Sequence, residues 1–141
     1  MIRVWLARAG IPSAHLALHD GSGLSRLDLV TPEASARLLI AVSKSGAGQY
    51  FLESLPISGR DGTLAGRLKT VADRVHAKTG SLTYDNSLSG YTTTADGREL
   101  AFSVMVNDQT TRAESSAIID QIVILLASVP NLPAEIPQKS R

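Results

Sequence analysis

The chain has 141 residues, of which 43% are hydrophobic and 19% are charged, and its net charge is +1. This length and composition are typical of one globular domain with a core of ordinary size. The balanced charge and the aromatic content of 4% argue against a nucleic-acid-binding role. The absence of cysteine excludes disulfides and thiolate metal sites. The sequence shows no signal-peptide pattern, and it holds no apolar run of the roughly eighteen residues that a membrane helix needs.

The N-terminal part of the chain is predicted to form a helix and then a strand. Apolar residues at helical spacing predict the helix over 2–9, with Gly10 as its end. Alternating apolar residues predict the strand over 15–19. On such a strand His15 and His19 would lie about 13 Å apart, too far to chelate one metal, so both are interpreted as surface residues.

The next helix has a clear start signal. The segment 31–33 supplies a hydroxyl cap, a proline at the first helical position and an acid in the first turn. The helix is expected to continue to about Ser43 and to end in the glycine-containing segment 45–48. A short apolar segment over 52–57 and a small helix over 63–68 are predicted to follow.

The C-terminal half is predicted to form an antiparallel sheet and a long helix. Strands are expected over 75–78, 88–94 and 100–106, and the Asp-Gly turn in 95–98 indicates a hairpin. The helix over 113–128 is expected to pack across the hairpin. Its predicted apolar face consists of Ile118, Ile119, Ile122, Val123, Leu125 and Leu126. The predicted fold class is therefore α+β, an antiparallel sheet covered by helices.

The tripeptide Lys78-Thr79-Gly80 is the most informative motif. An ammonium group and a hydroxyl group beside a glycine, on a strand, can hold an anionic substrate terminus while the substrate backbone approaches closely. By itself the tripeptide also fits an ordinary strand end. It is not a phosphate-binding loop, because Ala77 stands where a glycine is needed, and the segment 21–23 lacks the third glycine of a dinucleotide loop. No cofactor is predicted.

Five segments give the motif its context. In order, they are 20–26 (DGSGLSR), 29–32 (LVTP), 55–64 (LPISGRDGTL), 76–83 (HAKTGSLT) and 88–91 (LSGY). In sequence, order and spacing they resemble the D-alanyl-D-alanine carboxypeptidase/endopeptidase family of the low-molecular-mass class C penicillin-binding proteins. The resemblance implies part of a penicillin-binding-protein/β-lactamase-like transpeptidase domain.

Members of that family use three motifs: Ser-x-x-Lys for the nucleophile, Ser-x-Asn for proton transfer and Lys-Thr-Gly on a sheet strand. Only the third occurs in this chain, because no lysine follows a serine by three residues and no asparagine follows one by two. The resemblance therefore predicts that 1–129 is the C-terminal part of the transpeptidase-like domain of a longer enzyme. The remaining segment, 130–141, is predicted to be a proline-rich polar tail.

A Tyr-x-Asn sequence at Tyr84-Asp85-Asn86 resembles the second motif of related enzymes. Here it follows the lysine motif, whereas the second motif precedes it in the family. We therefore interpret 84–86 as a turn, which Asp and Asn favour.

The resemblance assigns roles to residues around the tripeptide. Lys78 would place positive charge near the scissile amide, and the backbone N–H of Ser81 would form half of an oxyanion hole. Thr79 would bind the terminal carboxylate, and Gly80 would let the substrate lie against the strand. Thr83, two residues beyond Ser81 on the same strand face, would line the groove for the peptide stem.

The first glycine-rich loop is assigned to the far end of the peptide stem. Ser22, Leu24 and Arg26 resemble family positions that border this pocket, where a guanidinium can clamp a carboxylate. The alternative for Arg26 is an ion pair that stabilises the loop. Asp20 and Asp61 are interpreted as braces of their loops.

The resemblance implies a penicillin-binding serine-type hydrolase that cleaves D-alanyl-D-alanine stem peptides of peptidoglycan through an acyl-enzyme. Its partners would be a stem peptide or a β-lactam, together with the N-terminal part of the same enzyme, and it would act in the periplasm or another extracytoplasmic space. Self-association is expected of the chain by itself, because its sheet would expose an edge and an apolar face. The alternatives are a non-catalytic cell-wall or partner-binding remnant, and a β-lactamase, against which the loop segments argue.

Overall fold

The computed structural model describes residues 2–11, 14 and 16–130. His15 and the predicted tail beyond Pro130 therefore lie outside the described residues. The elements in chain order are α1 (Ile2–Arg8), α2 (Pro32–Ser43), α3 (Gly48–Glu53), β1 (Val75–Leu82), β2 (Asp85–Thr93), β3 (Glu99–Val106) and α4 (Arg112–Ser128). Two short 3₁₀ turns, Gly62–Leu64 and Lys69–Val71, precede the sheet. The predicted α+β class is confirmed.

The sheet is an antiparallel meander in the order β1-β2-β3. The first hairpin closes through a two-residue turn, Thr83 and Tyr84, because Leu82 pairs with Asp85. The second hairpin joins Thr93 to Glu99 through the predicted Asp-Gly turn. Both strand connections are local, so the register of the sheet follows from its turns.

Each face of the sheet is covered by a helix. Helix α4 packs on one face and forms the main core, which contains Leu64, Leu68, Val71, Val75, Ala77, Leu88, Phe102, Ile119, Val123 and Ala127. Helix α2 packs on the other face. There the hydroxyl of Tyr91 donates to the carbonyl of Leu39 at 2.8 Å, and the Tyr91 ring meets Phe51 of α3 edge-on.

The predicted start of the second helix is confirmed in detail. The Thr31 hydroxyl accepts the N–H of Ala34 at 3.1 Å, and Pro32 and Glu33 occupy the first turn. Capping satisfies an N–H group that the helix itself leaves without a partner, so the start could be predicted from neighbouring residues.

Two other predicted elements differ from the structure, and one observed helix was not predicted. In 16–19 there is no strand, because Ala17 makes only an isolated bridge with Leu29. The predicted helix over 63–68 is replaced by the two 3₁₀ turns, and Leu68 between them has a left-handed φ of 55°, which interrupts a helix. Helix α3 was not predicted.

The predicted apolar face of α4 is too broad. Ile119 and Val123 are buried, and Leu126 packs against the core. Ile118, Ile122 and Leu125 are instead 47%, 37% and 66% exposed. The fully buried stripe follows a spacing of four residues, Ser115-Ile119-Val123-Ala127, since a narrow three-stranded sheet covers only one stripe of the helix. No helix in the described part of the chain has both the length and the hydropathy to cross a membrane.

Candidate active-site wall

Strand β1 lies at an edge of the sheet, and only its first half is covered on the outer side. The N–H of Ser58 donates to the carbonyl of Val75 at 2.9 Å, and the N–H of Ala77 donates to the carbonyl of Pro56 at 3.0 Å. Beyond Ala77, no backbone group of the described residues pairs with the outer edge of β1. The strand therefore offers a short open edge at the Lys-Thr-Gly motif.

The direction of the backbone groups on this edge follows from strand geometry. Backbone N–H and C=O groups point alternately to the two sides of a strand, so Thr79 and Ser81 point the same way as Ala77, away from β2. The N–H of Ser81 therefore points out of the sheet at its open edge. This is the direction that an oxyanion-hole donor requires.

The side chains of the motif divide between the two faces of the sheet. Thr79 pairs with Leu88 and lies on the α4 side, where its hydroxyl donates to the Thr63 hydroxyl at 3.1 Å. Lys78 lies on the α2 side, is exposed, and donates from Nζ to the carbonyl of Thr79 at 2.8 Å. The predicted cation, hydroxyl and outward N–H thus come together along one strand edge.

Packing gives a reason for glycine at position 80, in addition to the function predicted for it. A Cβ built at this position would overlap the hydroxyl oxygen of Ser87, its partner on β2. Because Gly80 has no side chain, the Ser87 hydroxyl can occupy the space that a Cβ at this position would fill. A substrate lying against the strand at Gly80 stays a prediction.

A chain of two hydrogen bonds links Ser81 to helix α4 through the buried side chain of Asn86. Its hydroxyl donates to Asn86 Oδ1 at 3.1 Å, and Asn86 Nδ2 donates to the Ser115 hydroxyl of α4 at 2.7 Å. Asn86 is 5% exposed. The interpretation of 84–86 as a turn is therefore wrong at Asp85 and Asn86, which begin β2, whereas Tyr84 does lie in the turn with a φ of 70°.

Thr83 is displaced from its predicted place. Strand β1 ends at Leu82, so Thr83 lies in the turn and does not continue the face of Ser81. Its carbonyl accepts from Arg26 Nη2 at 2.8 Å. The reason is the two-residue hairpin, which reverses the chain directly after Leu82. A contact of Thr83 with the peptide stem stays a prediction.

A cavity of about 500 Å³ lies between the first loop and the open end of the sheet. Its lining includes Ser25, Arg26, Gly80 and Ser81. Arg26 also forms the ion pair that was its alternative role, with Nη1 3.9 Å from Asp85 Oδ2. Its side chain is still 57% exposed, so the guanidinium reaches the solvent at the cavity.

Ser22 and Leu24 do not line this cavity. Asp20 Oδ1 accepts the N–H and the hydroxyl of Ser22 at 2.8 and 2.7 Å, and the Ser22 hydroxyl accepts the N–H of Leu24 at 3.1 Å. The N–H of Ser22 foremost, and then its hydroxyl, lowers the pKa of Asp20. The Leu24 side chain is 71% exposed. Asp20 thus has its predicted bracing role, and substrate contacts of Ser22 and Leu24 stay predictions.

The loop that contains Asp61 is braced as predicted. Asp61 Oδ1 accepts the N–H of Ile57 at 2.8 Å, and the Asp61 carbonyl accepts the N–H of Leu64 at 3.1 Å. This places Thr63 beside Thr79. Residue types alone gave no signal for that contact, because the two threonines are sixteen residues apart and meet only in the folded chain.

The fold and the edge strand define a class of protein. The chain superposes on penicillin binding protein 4 (dacB) from Haemophilus influenzae with a TM-score of 0.79 and 31% identity, over 91% of this chain and 31% of that one. It also superposes on the TLA-1 extended-spectrum β-lactamase with a TM-score of 0.65 and 21% identity, over 86% of this chain and 50% of that one, a likeness of fold alone. The fold is that of penicillin-binding proteins and β-lactamases.

The family follows from the sequence. The model of the D-Ala-D-Ala carboxypeptidase 3 (S13) family matches residues 1–129, and the chain belongs to this family. It is 39% identical over 129 residues to a D-alanyl-D-alanine carboxypeptidase from an Actinomadura species, and the match covers 86% of this chain and 24% of that relative. It is 37% identical over 110 residues to the carboxypeptidase DacB of Haemophilus influenzae, which covers 75% of this chain and 23% of that protein. The resemblance is confirmed, and the chain spans about a quarter of these relatives.

Proposed function

We propose that this chain forms one wall of the active site of a serine-type D-alanyl-D-alanine carboxypeptidase/endopeptidase that acts on peptidoglycan stem peptides. The observation that carries the proposal is the open edge of β1, where the outward N–H of Ser81, the hydroxyl of Thr79 and the ammonium of Lys78 lie together. Relatives of this chain are carboxypeptidases by name, which supports the same chemistry.

The wall would act in an acyl-transfer reaction. A serine outside this chain attacks the carbonyl of the penultimate D-alanine, and the resulting oxyanion accepts a hydrogen bond from the N–H of Ser81. D-Alanine leaves with the proton that the nucleophile released, and water then hydrolyses the acyl-enzyme. Thr79 binds the terminal carboxylate, and Lys78 adds positive charge beside it.

The same wall would accept a β-lactam. The carboxylate of a penicillin takes the place of the terminal D-alanine carboxylate, and its ring carbonyl takes the place of the scissile amide. The Haemophilus influenzae protein has been solved in complex with a β-lactam, which supports this assignment. We also propose an extracytoplasmic location, because peptidoglycan, the substrate, lies there.

The rest of the enzyme would pack on the exposed apolar surface of the N-terminal elements. Several large apolar side chains there are 43% to 64% exposed: Ile2, Val4, Trp5, Leu27 and Ile40. A surface of this kind favours association with another protein surface. The chain by itself is therefore expected to self-associate through this surface. The expectation of an exposed apolar sheet face was wrong, because α2 and α4 cover the two faces.

Substitution of Lys78 tests the proposal. In the enzyme that joins this chain to the part carrying Ser-x-x-Lys, Lys78→Met is expected to lower kcat/KM for D-alanine release from a D-alanyl-D-alanine stem peptide. The loss should be about tenfold to a hundredfold, because a hydrogen bond to a charged group contributes roughly 1.5–3 kcal/mol. Lys69→Met, an exposed lysine of the second 3₁₀ turn, is the matched control and should leave the rate unchanged. Equal rates for both variants would contradict the role of Lys78.

A further inference from the structure

A second, smaller cavity lies on the α4 side of β1. Its volume is about 180 Å³, and its lining includes the hydroxyl residues Thr63, Thr79, Ser81 and Ser116 together with Arg67. Several hydroxyl groups and one guanidinium around a small space form a chemistry suited to a carboxylate. Only Thr79 and Ser81 of this set were predicted from the sequence.

Thr63 is held in place for such a contact. Its 3₁₀ turn, Gly62–Leu64, is anchored by Leu64, which is fully buried, and by the N–H of Gly59, which donates to the Leu64 carbonyl at 3.0 Å. The Thr63 hydroxyl lies 3.1 Å from that of Thr79. Two hydroxyl groups at this separation can both turn towards one carboxylate, and Thr63 is exposed, so a ligand can reach it.

Arg67 supplies positive charge to the same cavity. Its Nη2 and Nε donate to the two carboxylate oxygens of Asp120 at 2.7 and 3.2 Å, which fixes the plane of the guanidinium. Within the described residues, its Nη1 makes no hydrogen bond, so donors remain on the side away from Asp120. Asp120 offsets much of the charge, and we therefore assign the direct contact to Thr63 and a supporting electrostatic role to Arg67.

We propose that this cavity receives the terminal carboxylate of the substrate and that Thr63 is a second hydroxyl donor to it, beside Thr79. The inference rests on the proposed function and deepens it, because it makes Thr63 a specificity-determining residue for substrates that end in a carboxylate. A ligand whose terminus is a neutral amide gains little from two hydroxyl donors and a guanidinium. The site should therefore distinguish the acid from the amide.

A titration of the chain itself tests this. The ¹⁵N-labelled chain is titrated with N-acetyl-D-alanyl-D-alanine and, separately, with its C-terminal amide, and amide shifts are followed by NMR. The acid should shift the resonances of Thr63, Thr79 and Ser81 and bind more tightly than the amide. Thr63→Val should weaken the binding of the acid about tenfold and leave that of the amide unchanged, since a hydrogen bond to a charged group is lost.

Thr70→Val is the matched control, because Thr70 is an exposed threonine of the other 3₁₀ turn and does not line the cavity. It should bind the acid like the unchanged chain. The inference is overturned if the acid does not shift the resonances of Thr63, Thr79 and Ser81. It is also overturned if Thr63→Val leaves the affinity for the acid unchanged, or if it weakens the binding of acid and amide equally.

A kinetic measurement separates this inference from the proposed function. In the joined enzyme, Thr63→Val should raise KM for D-alanine release while kcat changes little, because Thr63 contacts the carboxylate and not the reacting carbonyl. Failure of the joined enzyme to release D-alanine would contradict the proposed function. If the joined enzyme fails in this way, a titration in which the acid binds more tightly than the amide would still support the carboxylate site. If the joined enzyme releases D-alanine but Thr63→Val leaves its KM unchanged, the carboxylate site is contradicted and the proposed function is not.

Discussion

Gly90→Ala is expected to destabilise the chain by about 3 kcal/mol, the upper end of the usual cost of overpacking and a large share of the stability of an ordinary domain. Gly90 pairs with Ala77 across β1 and β2, and a Cβ there would overlap the carbonyl oxygen of His76 and lie 2.6 Å from both Cα and Cβ of Ala77. These atoms belong to the strand backbone and the fully buried core, so they cannot turn aside. Strand β1, which carries the Lys-Thr-Gly motif, would have to move.

The measurement is urea unfolding followed by circular dichroism. Gly66→Ala is the control, because a Cβ at Gly66 meets nothing within 4 Å and the residue has no left-handed φ. This variant should match the unchanged chain or gain up to about 1 kcal/mol from the reduced freedom of the unfolded chain. Unfolding midpoints that agree between the two variants would show that β1 and β2 are not packed as described.

Ser81→Pro is expected to lower kcat of the joined enzyme about 10²- to 10³-fold relative to Ser81→Ala, because proline removes the N–H that we assign to the oxyanion hole. The substitution is suited to this position. The N–H of Ser81 points away from β2, so proline removes no hydrogen bond of the sheet. The preceding residue is Gly80, which has no Cβ to clash with the proline ring.

Ser81→Ala is the matched variant because it keeps the N–H and, like proline, loses the hydrogen bond from the Ser81 hydroxyl to Asn86. The difference between the two therefore reports the N–H and not the hydroxyl. D-Alanine release gives kcat, and circular dichroism confirms that both variants are folded. Equal kcat values in folded variants would contradict the assignment of the Ser81 N–H to the oxyanion hole.

The elements that the sequence predicted well depend on neighbouring residues. The cap at Thr31 and the Asp-Gly hairpin between β2 and β3 are local signals, and both are confirmed. The Lys-Thr-Gly segment was expected at a strand, and the strand is present and runs four residues further, to Leu82. In these cases the residues that determine the structure lie within a few positions of it.

The features that the sequence missed depend on tertiary contacts. Asn86 was interpreted as a turn residue by its type, but it is buried in β2 because Ser81 and Ser115 satisfy its amide. No residue pattern indicated the contact between Thr63 and Thr79, because the two residues lie in different elements. Half of the predicted apolar face of α4 is exposed because the width of the sheet, which no helical periodicity encodes, decides how much of the helix is buried.

Labelling with a fluorescent penicillin tests the central claim, that this chain is a substrate-binding wall whose nucleophile lies on another part of the enzyme. The chain alone should acquire no covalent label, because none of its serines is paired with a lysine in a Ser-x-x-Lys motif. Addition of the part that carries Ser-x-x-Lys and Ser-x-Asn should restore labelling, on that part and not on this chain. A covalent adduct on this chain alone would contradict the claim, and a lack of labelling in the reconstituted enzyme would favour the non-catalytic remnant.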